Sequence, residues 1–270
     1  MNFLFFRHKF SWMLPDYHTH TVYSDGKSEH KSYLQQAVYS GIDELGFSDH
    51  FTIFPTNWGV NKKNIDLLKE EVQFLKDKTE LPVSVKFGAE VDYIPGKEVE
   101  IRSLVNSLPL DYVIGSVHFI GNWNFDNDPE GCRNSDIDKL YENYFSLVRK
   151  AISSNLYDII GHIDLIKKFD CYPSFSPYEW YKKLIRTLKN KDKVVEINTN
   201  GLNKPCREMY PEKDFVKMCF QSNIPVTLGS DAHVSNEVGQ YFDKATEMLK
   251  NIGYRKIASF TERKRTMKRL

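Results

Sequence analysis

The 270-residue chain has almost no net charge, because 37 basic residues balance 36 acidic ones to a formal charge of +1. Such a balance provides no overall electrostatic attraction to nucleic acid or to an anionic membrane surface. We therefore expect neither of these as a partner. A charged ligand would have to be bound by local groups.

Cysteine is also scarce. The four cysteines are far apart and form no C-x-x-C pair, which argues against a zinc ribbon and against a disulfide framework (Cys132, Cys171, Cys206 and Cys219). A chain of this kind fits a reducing compartment, and we predict a cytoplasmic protein.

Long apolar runs are missing too. No segment approaches the ~20 apolar residues that a membrane helix needs. The opening MNFLFFRHKFSWML is apolar, but Arg7, His8 and Lys9 interrupt it, so it does not resemble an export signal. We interpret residues 1–14 as an N-terminal extension, a strand or plug that packs on the domain.

No Pro/Gly/Ser-rich linker divides the sequence, and we predict one domain over residues 1–270 that ends in a basic segment, 255–270. The run ERKRTMKRL in that segment could be an arm for nucleic acid. Because the whole chain is nearly neutral, a solvated basic surface is the favoured interpretation.

Short β-rich runs alternate with amphipathic segments along the chain. The runs predict seven strands, at 16–21, 42–49, 83–91, 111–119, 157–163, 193–199 and 224–230. Apolar residues at helical spacing predict helices at 29–40, 136–154, 177–190, 211–222 and 237–252. This alternation predicts parallel strands with right-handed crossovers, either as a doubly wound sheet or as a (β/α) barrel. In both folds the functional site lies at the carboxyl ends of the strands.

Six of the eight histidines lie at or just after the ends of these predicted strands, and acidic residues accompany them. The set that a parallel barrel would bring to one rim comprises His18, His20, His50, Glu90, His118, His162, Asp231 and His233. A single H-x-H pair would be weak support for a metal site. Metal-binding residue types at so many strand ends, however, are not expected by coincidence.

Imidazole and carboxylate ligands without thiolates favour a catalytic site for zinc, iron or manganese over a structural zinc site. The candidate ligands are more numerous than one catalytic ion with an open coordination position can use. We therefore predict two to three divalent ions, with Glu90 as a bridge that two of them share. Asp25 lies in the turn sequence SDGK and either caps that turn or joins the ligands. His8 and His30 fall outside the set, and we expect them at the surface.

The motifs H-T-H, S-D-H, G-A-E-V-D, G-S-V-H-F, G-H-I-D and S-D-A-H occur in that order and resemble those of the PHP family of metal-dependent phosphoesterases. The resemblance implies a distorted (β/α)7 barrel, similar to a TIM barrel, with a trinuclear site. It assigns one ion to His18, His20, Glu90 and Asp231, a second to Glu90, His118 and His162, and a third to His50 and His233. Some relatives have a further histidine after H-x-H, where this chain offers only Asp25.

Within the family, the stretches GSVHFIGNWNFD (115–126) and VVEINTNGLNKPCREMYP (194–211) resemble those of the histidinol-phosphate phosphatases. The resemblance implies a phosphatase of histidine biosynthesis whose small-molecule substrate is L-histidinol phosphate. Two alternatives stay open: a phosphoesterase of the same family that acts on phosphotyrosine or nucleotides, and a non-catalytic metal-binding regulatory protein.

For the chemistry, we predict attack on phosphorus by a hydroxide that bridges two ions, with Glu90 at the bridge. Asp231 or His233 would protonate the leaving oxygen. A phosphocysteine mechanism through Cys206 is disfavoured, because KPCREMYP lacks the phosphate-binding loop that such a cysteine needs.

Several further residues are predicted to contact the substrate. Lys204 and Arg207 would bind the phosphate, although a solvated basic loop would also explain them. Asn198 would orient either the substrate or the metal ligands, and Trp123 would form a wall of the pocket against an imidazole ring. Asp92 and Glu196 could meet a substrate ammonium or support the metal ligands.

Overall fold

A computed structural model of the chain describes residues 13–54 and 56–270. The expectation for the N-terminal extension, residues 1–14, therefore lies almost entirely outside the described residues. The strands are β1 Pro15–Asp16, β2 Glu44–Phe47, β3 His50–Phe51, β4 Ser84–Asp92, β5 Tyr112–Ser116, β6 Phe119–Ile120, β7 Trp123–Asn124, β8 Ile159–Ile160, β9 Val194–Asn198, β10 Val226–Gly229, β11 Lys256–Thr261 and β12 Lys264–Arg269. The α-helices are α1 His30–Ser40, α2 Ile65–Lys78, α3 Glu98–Asn106, α4 Pro129–Arg133, α5 Ile137–Ser153, α6 Tyr178–Asn190, α7 Lys213–Gln221 and α8 Phe242–Ile252.

Seven parallel strands form the barrel in the order β1-β2-β4-β5-β8-β9-β10, and β3 adds a second short pairing to β4. The seam between β10 and β1 is closed by single contacts: the Tyr17 amide donates to the Leu228 carbonyl at 3.1 Å, and Thr19 pairs with Ala232. The predicted (β/α) barrel is therefore confirmed, and its seven strands match the seven predicted runs, with β1 and β4 each extending one residue beyond its run.

The helices form because apolar residues recur on one side of each segment and pack on the outside of the barrel. In α5, Asp136 caps the first turn by accepting from the Lys139 amide at 3.1 Å. Helix α8 starts later than predicted, because Gly239 and Tyr241 take left-handed φ angles of 70° and 57°. Helices α2, α3 and α4 were not among the predicted segments.

The interior of the barrel, below the site, is filled by aromatic rings. Tyr112 enters between two strand glycines, where a Cβ on Gly46 would lie 1.9 Å from its hydroxyl oxygen and a Cβ on Gly88 2.2 Å from its ring. The Tyr17 ring stacks on Tyr112 with centroids 4.6 Å apart. Only glycine at both positions leaves room for Tyr112.

The basic C-terminal segment forms an antiparallel hairpin of β11 and β12, which sequence reasoning did not predict. Ala258 and Phe260 of β11 close the amino end of the barrel by packing with Tyr17 and Tyr112. Thus β11 belongs to the core although the segment reads as basic. Within the residues that the structure describes, no helix is both long and apolar enough to span a bilayer.

Candidate active site

All nine predicted ligands lie at the carboxyl mouth of the barrel. Their side chains fall into four overlapping groups whose ligand atoms are within 4.8 Å of one another: His20, Asp25, His50 and His233; His18, His20 and Glu90; His18, His162 and Asp231; His50, Glu90 and His118. The parallel topology explains this convergence, because each of the side chains lies near or beyond the carboxyl end of a barrel strand.

Glu90, near the end of β4, lies at the centre of the cluster and is buried. Its Oε1 lies 2.8 Å from His162 Nε2 and accepts a hydrogen bond of 2.5 Å from the Ser116 hydroxyl. Its Oε2 lies 2.7 Å from His50 Nδ1 and 3.2 Å from His18 Nε2. Each carboxylate oxygen therefore faces a different part of the cluster, which is the arrangement a bridging ligand needs.

Two buried carboxylates outside the candidate ligand set fix the orientation of two candidate histidines. Glu196 Oε1 lies 2.5 Å from Nδ1 of His18, and Asp92 Oδ1 lies 2.8 Å from Nδ1 of His118. In each ring this contact leaves Nε2 facing Glu90, at 3.2 Å and 3.5 Å. Supporting carboxylates of this kind are typical partners of metal-binding histidines. The positions of Asp92 and Glu196 therefore favour a role in orienting these histidines over contact with a substrate ammonium.

Asp25 contacts the histidines on the outer side of the cluster. Its Oδ1 lies 3.7 Å from His50 Nε2 and 4.0 Å from His20 Nδ1, and its Oδ2 lies 3.4 Å from His233 Nε2. It therefore lies where it can complete a group with His20, His50 and His233.

The residues present fit bound cations, because several buried polar atoms in the cluster have no hydrogen-bond partner among the described residues. They are His18 Nε2, both ring nitrogens of His20, Asp25 Oδ1, Glu90 Oε2 and His162 Nδ1. Buried polar atoms are normally paired, so an unpaired group of imidazole nitrogens and carboxylate oxygens indicates a missing partner. That donor set suits zinc, iron or manganese.

The histidines and carboxylates change one another's protonation. Burial would lower the pKa of His18, but Glu196, Glu90 and Asp231 together raise it well above its usual value. By contrast, burial and the neighbouring His50 and His233 lower the pKa of His20 to about 3. Although burial opposes ionisation, the pKa values of Glu90 and Asp231 stay well below the usual range because His18 and other histidines lie close by.

The mouth opens into a pocket of about 310 Å³ whose walls extend beyond the ligands. Lys204, a predicted contact, lines the pocket together with Asn200. Sequence reasoning missed three further lining residues, Trp58, Asp126 and Lys168. Lys168 Nζ donates to a carboxylate oxygen of Asp126 at 2.7 Å. The sequence signal for Lys168 was its position shortly after the G-H-I-D motif. The direction of its side chain, however, depends on the fold of residues 164–168.

Other predicted contacts lie elsewhere. Arg207 is exposed, does not line this pocket, and donates to the Leu202 carbonyl at 3.4 Å. Trp123 does not line the pocket either, and its Nε1 donates to Asp128 at 2.9 Å. Asn198 contacts Glu196 and Asp231 at 3.2 Å and 3.3 Å. Cys206 is buried against the Gly201 carbonyl, away from the pocket lining.

The surface position expected for His30 is wrong: the side chain is 1% exposed, and its ring packs edge-on against Phe47 with centroids 4.3 Å apart. Its Nδ1 lies 2.9 Å from Glu71 Oε1 of α2. The prediction failed because this contact joins residues 41 positions apart, which no local pattern reveals. His8 lies outside the described residues.

Comparison with known families identifies residues 16–200 as a PHP domain. The chain belongs to the PHP family. It is also similar to a probable histidinol-phosphatase of Deinococcus radiodurans, with 33% identity over 93% of this chain and 98% of that protein. The histidinol-phosphatase of Lactococcus lactis is 24% identical over 91% of this chain and 94% of the relative.

A solved structure supports the PHP fold over nearly the whole chain. The histidinol phosphate phosphatase of Lactococcus lactis, crystallised with zinc, L-histidinol and phosphate, superposes with a TM-score of 0.83 at 23% identity, covering 95% of this chain and all of that one. Because the match spans nearly all of both chains, the two proteins share the barrel fold over that length.

Proposed function

We propose that this PHP protein is a metal-dependent phosphomonoesterase that hydrolyses L-histidinol phosphate to L-histidinol and phosphate, a step of histidine biosynthesis. The observation that carries the proposal is the convergence of all nine ligand candidates at one barrel mouth, in a chain that matches histidinol-phosphatases over 91–93% of its length. Its four cysteines are free, which supports work in the reducing cytoplasm.

We propose three cation positions within the cluster. His18, His20, Glu90 and Asp231 would hold the first, Glu90, His118 and His162 the second, and Asp25, His50 and His233 the third. Divalent ions there would supply positive charge to the phosphate oxygens and lower the pKa of the water that attacks phosphorus. The chain itself contributes orientation: Glu196 and Asp92 hold the rings of His18 and His118 with Nε2 directed at the site.

The substrate end of the pocket carries the remaining polar groups. Lys168 and Lys204 present positive charge to the phosphate, and the indole of Trp58, whose ring centroid lies 4.6 Å from that of His50, offers a flat wall for an imidazole ring. Asp231 and His233 both line the pocket and are the two proposed proton donors to the leaving oxygen. Arg207, Asn198 and Trp123 stay predicted contacts.

The test is steady-state hydrolysis of histidinol phosphate beside p-nitrophenyl phosphate, phosphotyrosine and a nucleoside monophosphate, with the metal content of the same preparation measured by mass spectrometry. We expect kcat/KM to be highest for histidinol phosphate. Weak turnover of all four substrates would instead assign another PHP phosphoesterase specificity. No turnover at full metal loading would favour a metal-binding regulatory protein.

A further inference from the structure

The Asp25 loop, defined as residues 21–26, is attached to the barrel by a carboxylate that is not in the ligand set. Asp49 Oδ1 accepts from the Thr21 amide at 2.7 Å and from the Ser24 hydroxyl at 2.5 Å, and Asp49 Oδ2 accepts from the Thr21 hydroxyl at 2.9 Å. Both oxygens of Asp49 are therefore occupied by the loop.

Helix α2 provides a second attachment through Glu71. The Tyr23 hydroxyl, in the middle of the Asp25 loop, donates to Glu71 Oε2 at 2.7 Å. The other oxygen, Oε1, faces the buried ring of His30 at 2.9 Å. His30 first, and Tyr23 after it, lower the pKa of Glu71 against the effect of burial, so the acceptor is an ionised carboxylate at neutral pH.

The loop sets the position of Asp25, whose own side chain is weakly restrained. Asp25 is one-third exposed, and its Oδ1 has no hydrogen-bond partner among the described residues. The nearest groups to its carboxylate are the rings of His50 and His233, at 3.7 Å and 3.4 Å. Where Asp25 lies therefore depends on the attachments of the loop, and a carboxylate displaced by about 1 Å no longer fits a cation shared with these rings.

We infer that Glu71, acting through Tyr23, is a positioning residue for the third cation: it holds the Asp25 loop so that Asp25, His50 and His233 converge, without contacting the cation itself. The inference rests on the third position of the proposed function. Loss of a supporting residue outside the ligand set typically lowers metal affinity about 10- to 100-fold.

The test uses calorimetric titration of the metal-free protein with Mn²⁺, together with its thermal midpoint. Tyr23→Phe and Glu71→Gln should each weaken the last-bound ion about 10- to 100-fold and leave the other two unchanged. Because one variant removes the donor of this hydrogen bond and the other the charge of its acceptor, the double variant should lose no more than the weaker-binding single variant. Glu70→Gln, at an exposed position one residue away on α2, is the matched control and should bind like the parent.

The outcomes separate the inference from the function. Three ions bound with parental affinity by Tyr23→Phe and Glu71→Gln would overturn the role of Glu71 alone. If all three ions bound more weakly by similar factors and the thermal midpoint fell, the inference would also be overturned, since Glu71 would then support only the fold. A parent protein that binds two ions would remove the third position itself, whereas the choice of substrate is decided by the separate kinetic comparison.

Discussion

Glu196 Oε1 lies 2.5 Å from Nδ1 of His18, and both side chains are buried. The same carboxylate accepts from the His162 amide through Oε2 at 2.8 Å, so it connects two ligand residues. The contact fixes the His18 ring so that Nε2 faces Glu90 and the proposed first cation.

Glu196→Gln keeps the shape of the side chain but removes the charge that favours this ring orientation. We expect metal affinity and kcat each to fall about 10- to 100-fold. Metal titration and steady-state kinetics measure both, with Glu247→Gln at an exposed site of α8 as the control. Parental metal affinity in Glu196→Gln would mean that Glu196 does not support His18.

Glu90→Gln should lower metal binding and activity more than Glu196→Gln does, because the two oxygens of the Glu90 carboxylate face different parts of the cluster. An amide retains one oxygen and cannot bridge two cations, so we expect at least one bound ion and nearly all activity to be lost together. Metal analysis after gel filtration and single-substrate kinetics report the two losses. Turnover at the parental rate would refute the bridging assignment.

Two of the three basic candidates for phosphate binding, Lys168 and Arg207, differ in position, which gives a direct comparison. Lys168 lines the pocket, whereas Arg207 is exposed and does not line it. Lys168→Ala should raise KM for histidinol phosphate about tenfold or more without loss of metal, because a charged hydrogen bond contributes about 1.5–3 kcal/mol. The sequence-based prediction for Arg207→Ala is also a raised KM with metals retained. An unchanged KM in that variant would leave Lys168 and Lys204 as the phosphate contacts.

The barrel and the ligand cluster could be predicted from sequence because both depend on local patterns. Each barrel strand is a short apolar run, and the ligands follow those runs, so parallel topology alone brings His18 and His233 to one rim. Resemblance to the PHP family then narrowed two possible parallel folds to one.

The features that could not be predicted from sequence depend on contacts between residues far apart in the chain. Strand β12 reads KRTMKR and shows no apolar alternation, because its partner β11 supplies the buried face with Ala258 and Phe260. Lys168 faces the pocket and Arg207 does not, although both are basic residues in loops, because the loop conformations differ. The burial of His30 likewise needs α2 to lie beside α1.

The hairpin predicts a stability effect far from the chemistry. Phe260 is buried beside Tyr17 and Tyr112 at the amino end of the barrel. Phe260→Ala would open a cavity there and should lower the free energy of unfolding by about 3–5 kcal/mol. Denaturant unfolding of the metal-free protein measures this, and Met267→Ala on the exposed strand of the same hairpin should change it by no more than about 0.5 kcal/mol. Equal effects of the two variants would show that Phe260 is not a core residue.

Metal binding should release protons. Burial lowers the pKa of His118 and His233, but Glu90 and Asp92 raise that of His118 to about 10, and Asp25 and Asp231 raise that of His233 to about 9. These rings are therefore protonated in the metal-free protein at pH 7.5, and a cation binds only the neutral form. Apparent affinity should rise with pH, and proton release should decline as the pH approaches 9 and His233 deprotonates on its own. Calorimetry at pH 7.5 in buffers of different ionisation enthalpy measures the released protons. A binding heat independent of the buffer would show that these histidines are already neutral and that the carboxylates around them do not hold their protons.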